Sequence, residues 1–293
     1  MEKKSLSRNF ATSIGRDPSP QPESMTSALR CLHTLELMAE APYELGVSEL
    51  ASRLSTPKTT AHRVLDTLCR AGFVQQDTVT RRYRLSGKSL WVGAAFLRNS
   101  ALYHCSFILM EQLAMGVEGS VHLGVREDDS VLYLHSVGFP STMQLFAHVG
   151  DRRPLYATAI GKVLLAYGPL SEVQRIMESG PERYTARTIV SFKDLQRELE
   201  QVQQRGYSTT SEELIPGVAA IATPIRNRAG DVVAAISIGT PITKLTAERQ
   251  KLYAESLEEA AGKISAQNGY RFAANHSVVG QAHHAKRPIL RKT

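Results

Sequence analysis

Between Ser55 and Leu68 the chain reads Ser-Thr-Pro-Lys-Thr-Thr-Ala-His-Arg-Val-Leu-Asp-Thr-Leu, and Ala61, Val64, Leu65 and Leu68 recur at the spacing of one helical face. Thr56 stands where a helix cap is needed, and Pro57 at the first helical position, where a missing N–H costs nothing. The opposite face carries Lys58, Thr59, Thr60, His62 and Arg63. A helix this short must bury its stripe against neighbours. Upstream, Leu29, Leu32, Leu35 and Met38 predict a helix between Thr26 and Pro42, and a second, short helix from Ser48 turns Leu50, Ala51 and Leu54 inward. Two helices, a tight turn and a third helix with a polar, cationic N-terminal face form the pattern by which a recognition helix enters a DNA major groove.

After Gly72, the runs Phe73–Gln76 and Arg81–Leu85 flank Asp77 to Thr80 and read as a hairpin. Strand alternation sends Tyr83 and Leu85 inward and Arg82 and Arg84 outward, toward phosphates or a minor groove. This first unit is therefore expected to be a winged helix-turn-helix.

Charge supports a polyanionic partner. The net charge is +7, but residues 1–98 carry +5, residues 99–270 carry −3 and residues 271–293 carry +5. Residues 53–88 alone hold eight cations against Asp66 and Asp77. One solvated helix face would explain Lys58 and Arg63 equally well, but three helices beside a cationic wing favour double-stranded DNA.

The stretch from Glu49 through Pro57–Arg63 to Leu68, followed by Arg82-Tyr83-Arg84-Leu85, resembles the DNA-binding domain of IclR-type bacterial transcription regulators. The second half resembles the effector-binding domain of the same family through Val149–Leu155, Thr158–Ala166, Gly206-Tyr207, Glu212-Glu213, Gly217 and Val233–Ile238. Within the family, Leu155–Ala166 and Lys263–Tyr270 look most like the branch of 2-keto-3-deoxygluconate repressors. The resemblance covers residues 25–270. Ser55 and Thr56 depart from the usual glycine and apolar residue of the turn, Ala220 stands where many members carry cysteine, and Gly239 where several carry serine.

Trp91, Ala94, Ala95 and Leu97, between Ser86 and Asn99, predict a linker helix too apolar for a free spacer. The resemblance implies a homodimer or homotetramer, and two-fold dimers call for a pseudo-palindromic operator. Beyond it, apolar or alternating runs at Val121–Val125, Val131–Val137, Met143–Val149, Val218–Ile225 and Val232–Ile238 predict strands. Helical patterns fall at Ala159–Tyr167 and Phe192–Arg205. The expected fold class is α+β: a winged helix-turn-helix, a linker helix and a mixed α/β effector domain with a largely antiparallel sheet, GAF-like by resemblance. Expected boundaries are a disordered 1–24, DNA-binding 25–87, linker 88–99, effector-binding 100–270 and a basic disordered tail 271–293.

The strand-to-helix junction Tyr156–Lys162 offers small residues and the free N–H groups of a helix start, which favour an anion such as a carboxylate. With Thr158, the resemblance places Ala159, Ile160, Thr210, Ala220, Ser237 and Gly239 in the pocket lining. Met143 and Leu145 are candidates for an apolar wall or for core. Glu212-Glu213 is read as orienting its loop, since two carboxylates would repel an acidic effector.

Enzyme readings fare worse. Gly161-Lys162 mimics the end of a phosphate-binding loop, but the glycine required five residues earlier is Tyr156. Thr158 and Ser237 have no evident base partner. Cys31, Cys69 and Cys105 are isolated, and His122, His135 and His148 lack metal-ligand spacing, so no metal or cofactor is expected. Unpaired cysteines, no signal peptide and no long apolar run point to the cytoplasm rather than a membrane. The expectation is a ligand-responsive transcription regulator, a repressor of sugar-acid or related organic-acid catabolism relieved by a small carboxylate, with a small-acid enzyme as the second class.

Overall fold

The structure is a computed structural model that describes residues 26–138 and 147–270. The expected end segments, and Met143 and Leu145, lie outside the described residues. The chain divides into two compact units, Met1–Asn99 and Ser100–Thr293.

In the first unit, α1 (Ser27–Glu40), α2 (Val47–Arg53) and α3 (Lys58–Arg70) surround one core. α3 buries Ala61, Val64, Leu65 and Leu68, as its period requires. Its start differs from expectation by one residue. Pro57 is the cap rather than the first helical residue, and Thr56 Oγ1 is buried without a hydrogen-bond partner instead of capping. The reason lies in the turn: Thr56 N already donates to Ala51 O, and the extended Pro57 delays the helix. In α1 the buried residues are Thr34, Leu37 and Met38, while Leu29 and Leu32 are exposed.

Ser55 adopts φ 51°, the left-handed region in which a Cβ is penalised. Ser55→Gly is therefore expected to stabilise this unit by about 0.5–1 kcal/mol. A chemical-denaturation midpoint that stays put or falls would refute this.

The wing pairs β1 (Val74–Gln76) with β2 (Tyr83–Leu85), antiparallel with Val74 opposite Leu85. Leu45 bridges Tyr83 on the far side through two backbone hydrogen bonds, 2.9 and 2.8 Å. α4 (Gly87–Arg98) follows, capped by Ser86, whose hydroxyl accepts from Lys88 N. None of its residues is buried: Leu90, Trp91 and Phe96 are 75%, 64% and 58% exposed.

The second unit is built on a six-stranded antiparallel sheet. In chain order its strands are β3 (Ser120–Glu127), β4 (Ser130–Gly138), β5 (Arg152–Pro154), β6 (Ser208–Ser211), β7 (Val218–Arg226) and β8 (Val232–Pro241), and in space the order is β5-β4-β3-β8-β7-β6. Four strands match the sequence reading. The edge strands β5 and β6 were not anticipated, and of the expected run Met143–Val149 the described part, residues 147–149, is not strand. Helices α5 (Ala101–Met115), α7 (Leu170–Glu178) and α9 (Ala247–Gln267) are likewise new, whereas α6 (Ala159–Ala166) and α8 (Phe192–Arg205) fall where expected. α5 and α9 pack on each other and on the sheet. α6, α7 and α8 form a second layer over Ala222 and Ala235. Among the described residues no helix is long and apolar enough to cross a membrane.

Candidate DNA-binding helix and effector cleft

α3 presents the polar face anticipated from its sequence. Lys58, Thr59, His62 and Arg63 are exposed and Thr60 half-buried, and their side chains make no hydrogen bond or ion pair among the described residues. They are free to meet a ligand without breaking anything. The wing cations differ. Arg82 Nε donates to Glu44 O at 2.8 Å, its Nη2 lies 2.9 Å from Glu49 Oε2, and its guanidinium stands 5.8 Å from the centre of the Tyr43 ring. Arg82 thus braces the wing against α2. Arg84 is more exposed and approaches Glu44 at 3.5 Å, a weak surface pair.

In the second unit a cleft of about 570 Å³, counted with its open mouth, lies between the sheet and the start of α6. Its lining brings together Thr158, Ala159, Ile160, Thr210, Ala220, Ser237 and Gly239. The depth comes from short side chains: Ala220, Ser237 and Gly239 share one face of β7 and β8, where Ala220 pairs with Gly239. His122 of β3 sits opposite Ser237 on the same face.

α6 is buried on every side, and Lys162 is the one charged residue in an otherwise apolar sequence. Thr158 caps it: Oγ1 accepts from Gly161 N at 3.1 Å and donates to Pro154 O at 3.0 Å. The N–H groups of Ala159 and Ile160 meet no acceptor among the described residues and lie at the cleft, so the helix start is open to an anion. Ser208 Oγ donates to Ala159 O at 2.6 Å and ties β6 to this junction.

Several lining residues were not found by sequence reasoning, His122, Tyr133 and Arg153 among them, and Glu213, expected only to orient its loop, lines the cleft as well. Strand alternation separates Arg152 from Arg153, but a three-residue strand gives no sign of which one turns inward. Arg152 pairs outward with Glu127 at 2.6 Å, and Arg153 lines the cleft. His122 Nδ1 lies 3.0 Å from Ser136 Oγ, which donates to Ala147 O at 2.9 Å, so Nδ1 carries the proton. Burial, helped by the nearby Arg153 cation, pushes the imidazole pKa down to about 3, and the ring is neutral.

The two adjacent glutamates divide the work. Glu212, at φ 57°, folds its loop: Oε1 accepts from Gly217 N at 2.8 Å, Oε2 lies 3.4 Å from Arg187, and its carbonyl accepts from Thr185. Glu213 turns inward onto Lys162, with Nζ to Oε1 at 2.7 Å. Lys162, only 1% exposed, also reaches Thr209 O at 3.3 Å and Glu198 at 3.8 Å, and Arg205 pairs with Glu198 at 2.9 Å. Burial raises the Glu213 carboxyl above its ordinary range, with Lys162 opposing.

A helix-turn-helix with an unpaired cationic face, carried with a separate unit whose cleft opens on a helix N-terminus, defines a transcription regulator with a ligand-binding unit. Residues 27–78 match the family described as "IclR helix-turn-helix domain", and residues 94–266 match "Bacterial transcriptional regulator IclR C-terminal". The chain belongs to the IclR family. It is 37% identical over 255 residues to the HTH-type transcriptional regulator KdgR of Escherichia coli K12, covering 87% of this chain and 97% of that one. An IclR transcriptional regulator from Alicyclobacillus acidocaldarius has a similar structure, with TM-score 0.74 and 30% identity, covering 83% and 98% of the two chains. An IclR homologue from Microbacterium hydrocarbonoxydans, solved with 4-hydroxybenzoate, matches with TM-score 0.73 and 27% identity, covering 83% and 99%.

Proposed function

We propose that this protein is a cytoplasmic repressor of genes for sugar-acid or related organic-acid catabolism, relieved by a small carboxylate of the keto-sugar acid kind. In this reading residues 25–87 hold double-stranded operator DNA, residues 88–99 link, and residues 100–270 bind the effector. One observation carries it: a single chain combines uncommitted polar side chains on α3 with a cleft where Arg153 and the open start of α6 supply positive charge. Kinship to KdgR and to a homologue holding 4-hydroxybenzoate supports an acidic effector.

Lys58, Thr59, Thr60, His62 and Arg63 contact the groove, the threonines reading base edges and the cations positioning the helix on phosphates. The working species is a homodimer or homotetramer, a reading supported by the exposed apolar side chains of α4. The effector binds one arrangement of it more tightly and so shifts the DNA-binding units. No catalytic role is assigned. The Thr158 hydroxyl is spent on the α6 cap, and His122, the register partner of Ser237, is too weak a base at neutral pH.

The test is fluorescence anisotropy on DNA from upstream of the gene, with and without 2-keto-3-deoxygluconate. Tight binding that weakens about tenfold or more with the acid is expected, a coupling of ordinary size. Loss of the acid during incubation would favour the enzyme class instead, and absence of DNA affinity would reject the regulator. Arg84→Ala is expected to weaken all DNA sequences alike and to reduce the salt slope by about 1, whereas an unchanged slope would remove Arg84 from the phosphate contacts.

A further inference from the structure

Two ionised groups face the effector cleft with hydrogen-bonding capacity to spare, and they sit on opposite edges of the sheet. Arg153 lies on β5 and Glu213 just beyond β6, the two edge strands, which line one cleft. Arg153 is 16% exposed at its side chain, and its Nη2 donates to Asp151 at 3.0 Å. Among the described residues its Nη1 and Nε meet no acceptor, so the outer fork of a planar guanidinium remains for a carboxylate, beside the open N–H groups of α6.

Glu213 is 8% exposed. One oxygen, Oε1, suffices for the ion pair with Lys162, while Oε2 is buried without a well-formed hydrogen bond among the described residues, the Ser211 N–H acting on this carboxyl only weakly. An orphaned carboxylate oxygen is costly, and here it belongs to a residue that lines a ligand cleft. The group that satisfies it must donate. An ammonium fits poorly, because Lys162 already stands 2.7 Å from this carboxylate and the chain of buried Lys162 and Glu213 with half-buried Glu198 and Arg205 is electrically balanced. A neutral hydroxyl fits.

We infer that Arg153 holds the effector carboxylate while Glu213 Oε2 accepts a hydrogen bond from a hydroxyl farther along the same molecule, so that the cleft selects hydroxylated acids over their unhydroxylated counterparts. The inference rests on the reading that this cleft takes a small carboxylate. It assigns to Glu213 a specificity role beyond its ion pair with Lys162.

The two probes are 2-keto-3-deoxygluconate and 2-oxohexanoate, which share a six-carbon 2-oxo acid skeleton and differ in three hydroxyls. Calorimetric titration of the full chain is expected to show the hydroxylated probe binding about 10- to 100-fold more tightly, the range of one or two charge-assisted hydrogen bonds. Glu213→Gln keeps an oxygen for Lys162 and replaces the acceptor with a neutral amide; it is expected to narrow the difference between the probes to about threefold. Arg153→Gln is expected to weaken both probes by about tenfold or more. Equal binding of the two probes to the unaltered protein would overturn hydroxyl selection and leave the carboxylate reading intact. Undiminished binding to Arg153→Gln would overturn the role of Arg153. If neither probe binds while DNA affinity persists, the carboxylate reading fails and this inference falls with it.

Discussion

Gly161→Ala is expected to lower the stability of the effector unit by about 2–3 kcal/mol and to abolish the effector response while DNA affinity survives. Gly161 lies in the first turn of α6, and a Cβ there would fall well under 3.0 Å from the carbonyl oxygen, Cα and carbonyl carbon of Leu155. These are backbone atoms in a fully buried segment, so no flexible side chain can swing aside. Helix propensity pulls the other way, since alanine is favoured over glycine in a helix by about 1 kcal/mol. The clash outweighs that gain. Relief of it moves α6 away from Leu155 and takes the Thr158 cap and the open N–H groups with it. Urea denaturation of the full chain, followed by a probe in the second unit, checks the result; a midpoint that rises toward higher urea would mean that propensity wins.

Lys162→Met is expected to cost about 3–5 kcal/mol at neutral pH, because it leaves the Glu213 carboxylate buried without its cation. The loss should depend on pH in a definite direction. Burial already raises the Glu213 carboxyl pKa in the folded state, and removal of Lys162 raises it further. A folded-state pKa above the unfolded one means that the folded protein holds the extra proton, so this contribution is fully present below the unfolded carboxylate range and is lost as pH rises through the folded pKa. The deficit of the variant against the unaltered protein should therefore shrink as pH falls toward about 4.3. The double variant Lys162→Met with Glu213→Gln is expected to recover about 2 kcal/mol or more, since no buried charge is then left unpaired at that position. Equal deficits for the single and double variants would show that Lys162 acts through packing alone.

The winged helix-turn-helix was legible because its determinants are local. Ala61, Val64, Leu65 and Leu68 mark the buried face of α3 by period, and the segregation of cations within residues 53–88 marks its partner. β3, β4, β7 and β8 are long enough for their apolar runs to show. α5 was missed because apolar residues lie on all its sides and leave no periodic contrast, and β5 and β6 were missed because three or four residues carry too few alternations. The cleft residues Ala159, Ile160, Thr210, Ala220, Ser237 and Gly239 came from resemblance to a family rather than from any pattern in the chain.

By itself, then, the sequence determined the helices of the DNA-binding unit, the side chains that α3 offers to a partner and the small residues at the start of α6. Periodicity and charge act over a few residues and are written in the chain. The tertiary structure decided which of these groups are free and which are spent. Only folding sets Arg82 against Glu44 and Glu49, turns Arg153 rather than Arg152 into the cleft, and places Glu213 on Lys162 across 51 residues of chain. Those outcomes depend on pairings between segments far apart in sequence, and no local pattern encodes the partner of a buried charge.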